Sequence, residues 1–479
     1  MENQTIGIVG AGLSGLTTAY RLAQAGIKSI IFEASNRIGG RVWTEKFPNG
    51  QTYELGGQYI DSNHSDIIEL INELGLELGT TNTSSCLTDK YLVIDYDEPD
   101  CPLVSYSMSE INNDYQKISN RIFTDAAMLK PFDPTKETVK KLDNINLSAY
   151  VDDLCSVLRS DANGSKTKLS QLLKIAYQLM FGLEPELQSS LNFLFLIGSS
   201  TDINKFHLYG AADEMYHIKG GSRKLTDKLY QLLVSSGLCT INLNSPITKI
   251  TRDNNNYILH VEQTCYYFPQ IVMTIPFQMY DSIDYSEADF SPLKKYIIDN
   301  YKLGANSKLN IQYNHNFLDF SGISYITTDC ANQYQLQNTW DSTIDSYKYD
   351  SMVFVNFTAG ECAKRISDEF IVSDLNKLTM PLENLNILFE KKHEISNIVS
   401  VNWSKYPWTK GSYSVYKVGQ YAGGKVAFAG QEALAEPQNN TNQNCHFAGE
   451  ASSMQYQGYM NGAVFSGNRV VREILMTNI

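Results

Sequence analysis

Three glycines near the start of the chain have the spacing of a phosphate-binding turn. Gly10, Gly12 and Gly15 form the pattern G-x-G-x-x-G between a short apolar run and a helical repeat that begins at Leu13. In a strand–turn–helix unit the first glycine permits a tight turn, the second lets the backbone approach a pyrophosphate, and the third lets the helix pack against the strand. Free N–H groups at the helix start, at Leu13 and Ser14, then bind the anion. These residues predict a site for a phosphate-bearing ligand.

Two strands and a helix must position that turn. The run Thr5–Val9 is rich in β-branched residues, Leu13–Ala25 has apolar residues at helical spacing, and Ser29–Phe32 is a second apolar run. The second run ends in Glu33, where an acid about 20 residues past the glycines accepts hydrogen bonds from both hydroxyls of an adenosine ribose. Strand, turn, helix, strand and acid together predict a bound dinucleotide. An α/β unit whose glycines serve only packing is the alternative.

The segment Arg37–Arg41, with the sequence RIGGR, favours FAD over NAD. Its two adjacent glycines and two flanking arginines follow the ribose acid directly. They bring further backbone N–H groups and guanidinium charge to a ligand that carries phosphate. Surface arginines beside a turn are the alternative.

Size, charge and composition limit the classes of protein. At 479 residues the chain is too long for one ordinary core, so we expect two domains or one domain with a large insertion. A formal net charge of −13 argues against nucleic acid or an anionic membrane as a partner. We find no run of 18 apolar residues and no signal sequence, so we predict no membrane span and a cytoplasmic location. The eight scattered cysteines predict reduced thiols, and neither they nor the histidines form a ligand pattern, so we predict no metal.

Two signature runs identify a related family. The run FEASNRIGGRVWT (Phe32–Thr44), followed by ELGGQYI (Glu54–Ile60), resembles the N-terminal signature of the flavin-containing amine oxidases. These include monoamine oxidases, polyamine and putrescine oxidases, and L-amino-acid oxidases. The resemblance implies an α/β fold with a Rossmann-like FAD-binding domain and an inserted α+β substrate-binding domain. It predicts that residues 1–80, 213–282 and 411–479 form the first domain, and residues 81–212 and 283–410 the second.

The resemblance also implies which residues contact FAD. Ser412, before Tyr413, occupies the place of the flavin-linked cysteine of the monoamine oxidases, and because a serine cannot form the thioether link, we expect non-covalent FAD. The implied cofactor-binding residues are Gly10, Gly12, Leu13, Ser14, Gly15, Glu33, Ala34, Arg37, Gly40, Arg41, Gly56, Gly57, Gln58, Tyr59, Ile247, Trp403, Gly449, Glu450, Gly458, Tyr459 and Met460.

Three residues are the implied catalytic groups. Lys308 lies on a predicted strand and matches the family lysine that holds a water against flavin N5. Tyr413 and Tyr459 match two aromatic residues that form a cage for the substrate. The implied reaction is oxidative deamination, in which a neutral amine transfers hydride to flavin N5, the imine hydrolyses, and O₂ is reduced to H₂O₂. The expected partners are a small amine and O₂, and activity should rise with pH as the amine loses its proton.

The sequence leaves the substrate and three other functions open. Amino-acid oxidases carry an arginine after the second glycine pair, whereas this chain has Gln58-Tyr59, which looks more like the putrescine and monoamine oxidase pattern. An L-amino-acid oxidase, a flavin desaturase or protoporphyrinogen-oxidase-like enzyme, and a non-catalytic flavin-binding partner subunit are the alternatives. Oligomeric state is open as well, with a homodimer as one option.

Overall fold

A computed structural model describes residues 5–81, 91–98, 103–253, 256–316, 336–344, 349–378, 393–422, 444–453 and 455–477. The helices in these ranges are α1 Leu13–Gln24, α2 Ser65–Glu73, α3 Met108–Met128, α4 Glu137–Asp143, α5 Leu147–Cys155, α6 Lys168–Phe181, α7 Ser190–Ile197, α8 Arg223–Ser236, α9 Pro292–Asn300, α10 Gly360–Ile366 and α11 Met460–Thr477.

The same ranges contain the strands of the fold. They are β1 Thr5–Val9, β2 Lys28–Phe32, β3 Thr44–Lys46, β4 Thr52–Glu54, β5 Tyr59–Ile60, β6 Leu78–Thr80, β7 Tyr91–Ile94, β8 Leu103–Tyr106, β9 Tyr216–Ile218, β10 Cys239–Asn242, β11 Ile247–Asp253, β12 Asn256–Val261, β13 Thr264–Phe268, β14 Gln270–Met273, β15 Asn306–Tyr313, β16 Asn338–Asp341, β17 Met352–Ala359, β18 Ile371–Val372, β19 Ile395–Asn402 and β20 Cys445–Phe447.

A parallel sheet carries the glycine turn. Its order over the described residues is β10-β2-β1-β14-β20, and β1 lies in register with both neighbours, so that Ile8 faces Ile31 and Val272. These three side chains are fully buried. Parallel strands covered on both faces need continuous apolar runs, which is what the sequence supplies. The predicted α/β fold class is therefore confirmed.

Helices α1, α8 and α11 pack together on this sheet. All five sheet strands come from the three segments that the sequence assigns to a cofactor domain. The division of the whole chain into two domains stays a prediction.

A second, antiparallel sheet has the order β16-β17-β15-β19-β18 among the described residues. All eight residues of its central strand β15 are buried. Because side chains alternate along a strand, Leu309, Ile311 and Tyr313 share one face and enter an apolar core. Lys308, Asn310 and Gln312 therefore share the other face. The sequence predicted this alternation, and the structure confirms it.

The segment between residues 108 and 197 is largely helical. Helix α3 begins at a capping box, in which the Ser107 side chain accepts from the Glu110 N–H and the Glu110 carboxylate accepts from the Ser107 N–H. Helices α3 to α7 bury one shared apolar core. Phe357 and Ala359 of β17 also pack in this core, so the helices contact the second sheet.

The cysteines differ in part from expectation. Cys362 is disulfide-bonded, so the prediction of reduced thiols is wrong for that residue. The free thiols in the described ranges are Cys155, Cys239, Cys265 and Cys445. Cys86, Cys101 and Cys330 lie outside the described residues.

In the described part of the chain, no helix combines the length and the apolar character that a bilayer crossing requires.

Candidate active site

A cavity of about 450 Å³ runs past the carboxyl ends of β1, β2 and β14. In an open parallel sheet this edge is where ligands bind, since loops and helix N-termini converge there. The predicted site residues in its wall are Gly10, Gly12, Leu13, Ser14, Glu33, Ala34, Gly40, Arg41, Gly57, Ile247, Tyr413, Gly449, Glu450, Gly458, Tyr459 and Met460. The fold thus brings residues from both ends of the chain to one cavity.

The glycine turn has the geometry that the sequence predicts. Gly10 has a φ of +105°, and its N–H donates to the carbonyl of Phe32 at 2.8 Å. A β-carbon on Gly15 would lie 2.1 Å from the Gly10 carbonyl oxygen, so this glycine is required for close packing. A β-carbon on Gly12 would meet no protein atom within 4 Å. Gly12 therefore faces space that the fold itself leaves open.

Glu33 is held in place at the end of β2. One carboxylate oxygen accepts from the Ala11 N–H at 2.7 Å, and the other accepts from the N–H and the hydroxyl of Ser35 at 2.9 and 2.7 Å. Only 9% of Glu33 is exposed. The fold thus fixes an acid beside the glycine turn. Ser35 is a wall residue that no sequence motif predicted.

An ion pair joins the two ends of the chain in the cavity wall. Nη1 of Arg41 donates to Oε1 of Glu450 at 2.7 Å and to the carbonyl of Ser412 at 2.7 Å. The other oxygen of Glu450 accepts from the Ser414 hydroxyl at 2.5 Å and from the Gly458 N–H at 2.8 Å. Glu450 therefore orients the start of α11 and the Ser412 segment against the RIGGR turn.

Several predicted cofactor residues lie behind the wall and do not line the cavity. The Arg37 guanidinium stacks 3.4 Å over the Trp43 ring and donates to the Gly40 carbonyl, and burial lowers its pKa. Trp403 donates from Nε1 to the Leu55 carbonyl at 3.0 Å. The residues in this position are Gly15, Arg37, Gly56, Gln58, Tyr59 and Trp403. Their contribution to a cofactor site stays a prediction.

Lys308 lies on β15 and is not among the residues that line the cavity. Its ammonium donates to Oε1 of Gln58 at 2.8 Å and lies 5.8 Å from the Trp340 ring centre. Only 4% of Lys308 is exposed. Burial lowers its pKa to about 8, although the nearby Glu54 carboxylate acts in the opposite direction. Lys308 is thus a buried amine that can change charge near neutral pH.

Glu54 is the acid whose charge acts most strongly on this lysine. It accepts from the Thr44 hydroxyl at 2.7 Å and from the Ser222 N–H at 2.6 Å, and it is 1% exposed. Burial raises its pKa to about 7, while these two hydrogen bonds and the Lys308 charge lower it. The sequence contained this residue in the ELGG run, but only the structure places it next to Lys308.

Replacement of Glu54 by Gln should move the titration of Lys308. The Glu54 carboxylate raises the pKa of Lys308, so its removal lets that pKa fall further below about 8. Glutamine preserves the shape, and its amide oxygen can still accept from the Ser222 N–H, whereas its NH₂ group faces the Thr44 hydroxyl, which must turn to accept. The measurement is the rate of flavin reoxidation as a function of pH. If that rate requires protonated Lys308, it falls at alkaline pH, and we expect the fall to begin at a lower pH in the variant. Glu45→Gln on β3 is the control, and an unchanged profile in Glu54→Gln would refute the coupling.

Tyr413 and Tyr459 both lie in the wall of the cavity. The Tyr413 hydroxyl donates to the Leu179 carbonyl at 2.8 Å, and its ring would lie 3.9 Å from a β-carbon on Gly458. The Tyr459 ring contacts the His64 ring edge to face, with 4.8 Å between the two ring centres. Burial raises the pKa of both tyrosines, so both present neutral rings. The two aromatic residues are therefore in one place, as the sequence predicted.

His64 and Asp61 support Tyr459 and were not predicted. The His64 ring accepts from the Asp61 N–H at 3.1 Å, and its Nε2 lies 3.3 Å from an oxygen of Asp61. Burial lowers the pKa of His64 to about 4, so the ring is neutral at physiological pH. No sequence spacing marks this pair, because its role depends on the contact with a residue far away in the chain.

In the described residues no group of three or more candidate metal ligands occurs.

Comparisons with known proteins agree with this geometry. The family model "Flavin containing amine oxidoreductase" matches residues 13–475. Mouse "Amine oxidase [flavin-containing] B" is 23% identical over 494 residues, covering 98% of this chain and 85% of the mouse protein. The fold matches putrescine oxidase bound to putrescine with a TM-score of 0.77 and 19% identity, and cyclohexylamine oxidase of Brevibacterium oxydans with 0.78 and 18%, each covering 99% of both chains. The chain therefore belongs to the flavin containing amine oxidoreductase family.

Proposed function

We propose that this protein is an FAD-dependent amine oxidase that deaminates a primary or secondary amine and reduces O₂ to H₂O₂. The observation that carries the proposal is a single cavity whose wall contains the glycine turn and Glu33 as well as Tyr413 and Tyr459. FAD, when bound, supplies the hydride acceptor and the reaction with O₂. The chain itself supplies binding, orientation and charge.

The residues present fit FAD. The Ser14 hydroxyl and the Thr409 hydroxyl both lie in the cavity wall, are buried, and have no hydrogen-bond partner in the structure. Buried polar atoms normally have partners, so these two fit a polar ligand. Gly12 leaves room for the backbone to approach a pyrophosphate, and Glu33 stands where a ribose would need an acceptor. The RIGGR turn adds the Arg41 charge.

The tyrosine pair and Lys308 support an amine as substrate. Neutral aromatic rings accept a cationic or polarised nitrogen on their faces, and two rings in one wall restrict how a substrate can lie. Lys308 offers an ammonium whose pKa of about 8 allows it to hold or release a proton at Nζ. Gln58 accepts a hydrogen bond from that ammonium at 2.8 Å. The Gln58 amide is itself held by the Ser342 hydroxyl at 2.8 and 3.1 Å. A buried ammonium that an amide holds in place can bind or release a proton at a fixed position, which a residue used only for packing does not need.

Anaerobic titration tests the proposal. The purified yellow protein is mixed without O₂ with a panel of monoamines, diamines and amino acids, each amino acid being paired with its decarboxylated analogue. We expect amines to bleach the flavin band near roughly 450 nm, and air to restore it with release of H₂O₂. Bleaching by amino acids alone would replace the proposal with an L-amino-acid oxidase. A yellow protein that no compound bleaches would favour the desaturase or partner-subunit alternatives.

We expect the flavin to dissociate when the protein is denatured. Ser412 is 5% exposed, lies in the cavity wall, and donates its hydroxyl to Oδ1 of Asn306 at 2.6 Å. A serine oxygen does not form the thioether that links a cysteine to flavin. Acid precipitation should leave essentially all flavin absorbance in the supernatant, with added free FAD as the recovery control. Flavin that remains in the washed pellet would refute non-covalent binding.

A further inference from the structure

Asn310 is a buried amide without any hydrogen-bond partner. It is 0% exposed, and neither its Nδ2 nor its Oδ1 contacts a donor or acceptor in the structure. On the neighbouring strands it lies opposite Val355 and Val399, which offer no polar side chain. An unpaired buried amide is costly, so such a residue needs a specific explanation.

Its position on β15 supplies one. Asn310 shares its strand face with Lys308 on one side and Gln312 on the other, each two residues away. Lys308 belongs to an inner polar network, in which its ammonium donates to Gln58 and Gln58 exchanges hydrogen bonds with Ser342. Asn310 is therefore the polar side chain that follows Lys308 on this face of β15.

Gln312 belongs to an outer polar network that reaches the surface. Its Nε2 donates to Gln51 at 2.6 Å and to Asn49 at 3.0 Å. Gln51 also donates to the Ser351 carbonyl and accepts from the Ser351 hydroxyl, both at 2.8 Å. Gln51 is fully buried, whereas Asn49 is exposed. The outer network thus connects the sheet interior to solvent.

We propose that Asn310 holds bridging water between these two networks, and that the row Lys308, Asn310, Gln312 forms a path for water and protons from the surface at Asn49 to the reaction centre. One water on each amide atom satisfies the unpaired groups and spans the gap of about 7 Å between alternate residues of a strand. The valines on either side keep the path narrow. Asn310 is in this proposal a positioning residue, since it acts through water.

The proposed function gives this path its use, and the inference rests on that function. Hydride transferred from the amine combines with O₂ and one proton to give H₂O₂, so each turnover takes up a proton after the substrate has been oxidised. Hydrolysis of the imine to carbonyl and ammonia consumes one water. Two neutral tyrosine rings cannot supply either, whereas a polar row that ends at Lys308 can deliver both.

The test uses the variant Asn310→Leu, which replaces the amide by an apolar group of similar size. Flavin in the holoenzyme is reduced with dithionite and then mixed with O₂, so that the result does not depend on which amine is the substrate. We expect reoxidation to be roughly tenfold slower, less than the effect of losing a direct proton donor, with a larger solvent deuterium isotope effect. Asn310→Ser, which leaves room for water and retains a hydroxyl, should restore most of the rate.

Ser400→Ala is the matched control. Ser400 also has a buried hydroxyl without a partner, but it lies opposite Leu309 and therefore on the other face of the sheet. Its loss should leave reoxidation unchanged. A high-resolution crystal structure should show ordered water on both amide atoms of Asn310. A dry Asn310, or an Asn310→Leu protein with unchanged reoxidation and a raised melting temperature, would overturn the proposal, whatever the amine panel shows.

Discussion

Replacement of Gly12 by valine should yield a folded, colourless protein. The Gly12 backbone has a φ of −71°, which valine can adopt, and a β-carbon there would touch no protein atom within 4 Å. The side chain would instead occupy the space beside the glycine turn. Overpacking of roughly 3 kcal/mol against a bound pyrophosphate weakens FAD on the order of 100-fold. The measurement is the ratio of flavin to protein absorbance after purification, with circular dichroism to confirm folding.

A second glycine serves as the control for this variant. A β-carbon on Gly26 would also meet no protein atom within 4 Å, but the φ of +76° at this position is unfavourable for alanine. Gly26→Ala should lower stability by about 1 kcal/mol and retain full flavin content. The two variants thus separate loss of ligand from loss of stability. A yellow Gly12→Val protein would contradict the placement of a pyrophosphate at this turn.

Replacement of Lys308 by methionine should slow turnover by about 100-fold, the size of effect that loss of a positioned proton donor or acceptor usually has. Methionine keeps the apolar stem but cannot donate to Gln58 or exchange a proton. Loss of the lysine charge also removes an influence that lowers the pKa of Glu54, so this acid becomes more fully protonated at neutral pH. The variant therefore leaves no unpaired buried charge and should fold.

Stopped-flow measurements would locate the affected step. Reduction of the flavin by substrate and its reoxidation by O₂ are followed separately in the wild type and in Lys308→Met. Lys302→Met is the matched control. Lys302 precedes β15 in the chain, and its ammonium donates to Asp281 at 3.2 Å. Equal rates for Lys308→Met and the wild type in both half-reactions would remove Lys308 from the candidate catalytic residues.

The local sequence determined the parts of this protein that depend on neighbours in the chain. The glycine turn, the strand before it and the helix after it follow from the spacing of Gly10, Gly12 and Gly15 and from apolar periodicity, and the structure reproduces all three. The alternation of buried faces along β15 follows from its sequence pattern in the same way, whereas the α/β fold class was implied by the family resemblance. The family resemblance located Tyr413 and Tyr459, and the fold brings both to the cavity.

Only the tertiary structure decided the contacts between distant segments. The Arg37 guanidinium stacks on the Trp43 ring and does not line the cavity. Arg41 forms an ion pair with Glu450, and the His64 ring contacts the Tyr459 ring. The tertiary structure also placed Glu54 near Lys308 and left Asn310 without a partner. Spacing along the chain encodes local hydrogen bonds and buried faces. The pKa of a buried group and the partner of an amide depend on which remote side chains exclude water from it, and the folded packing alone sets that.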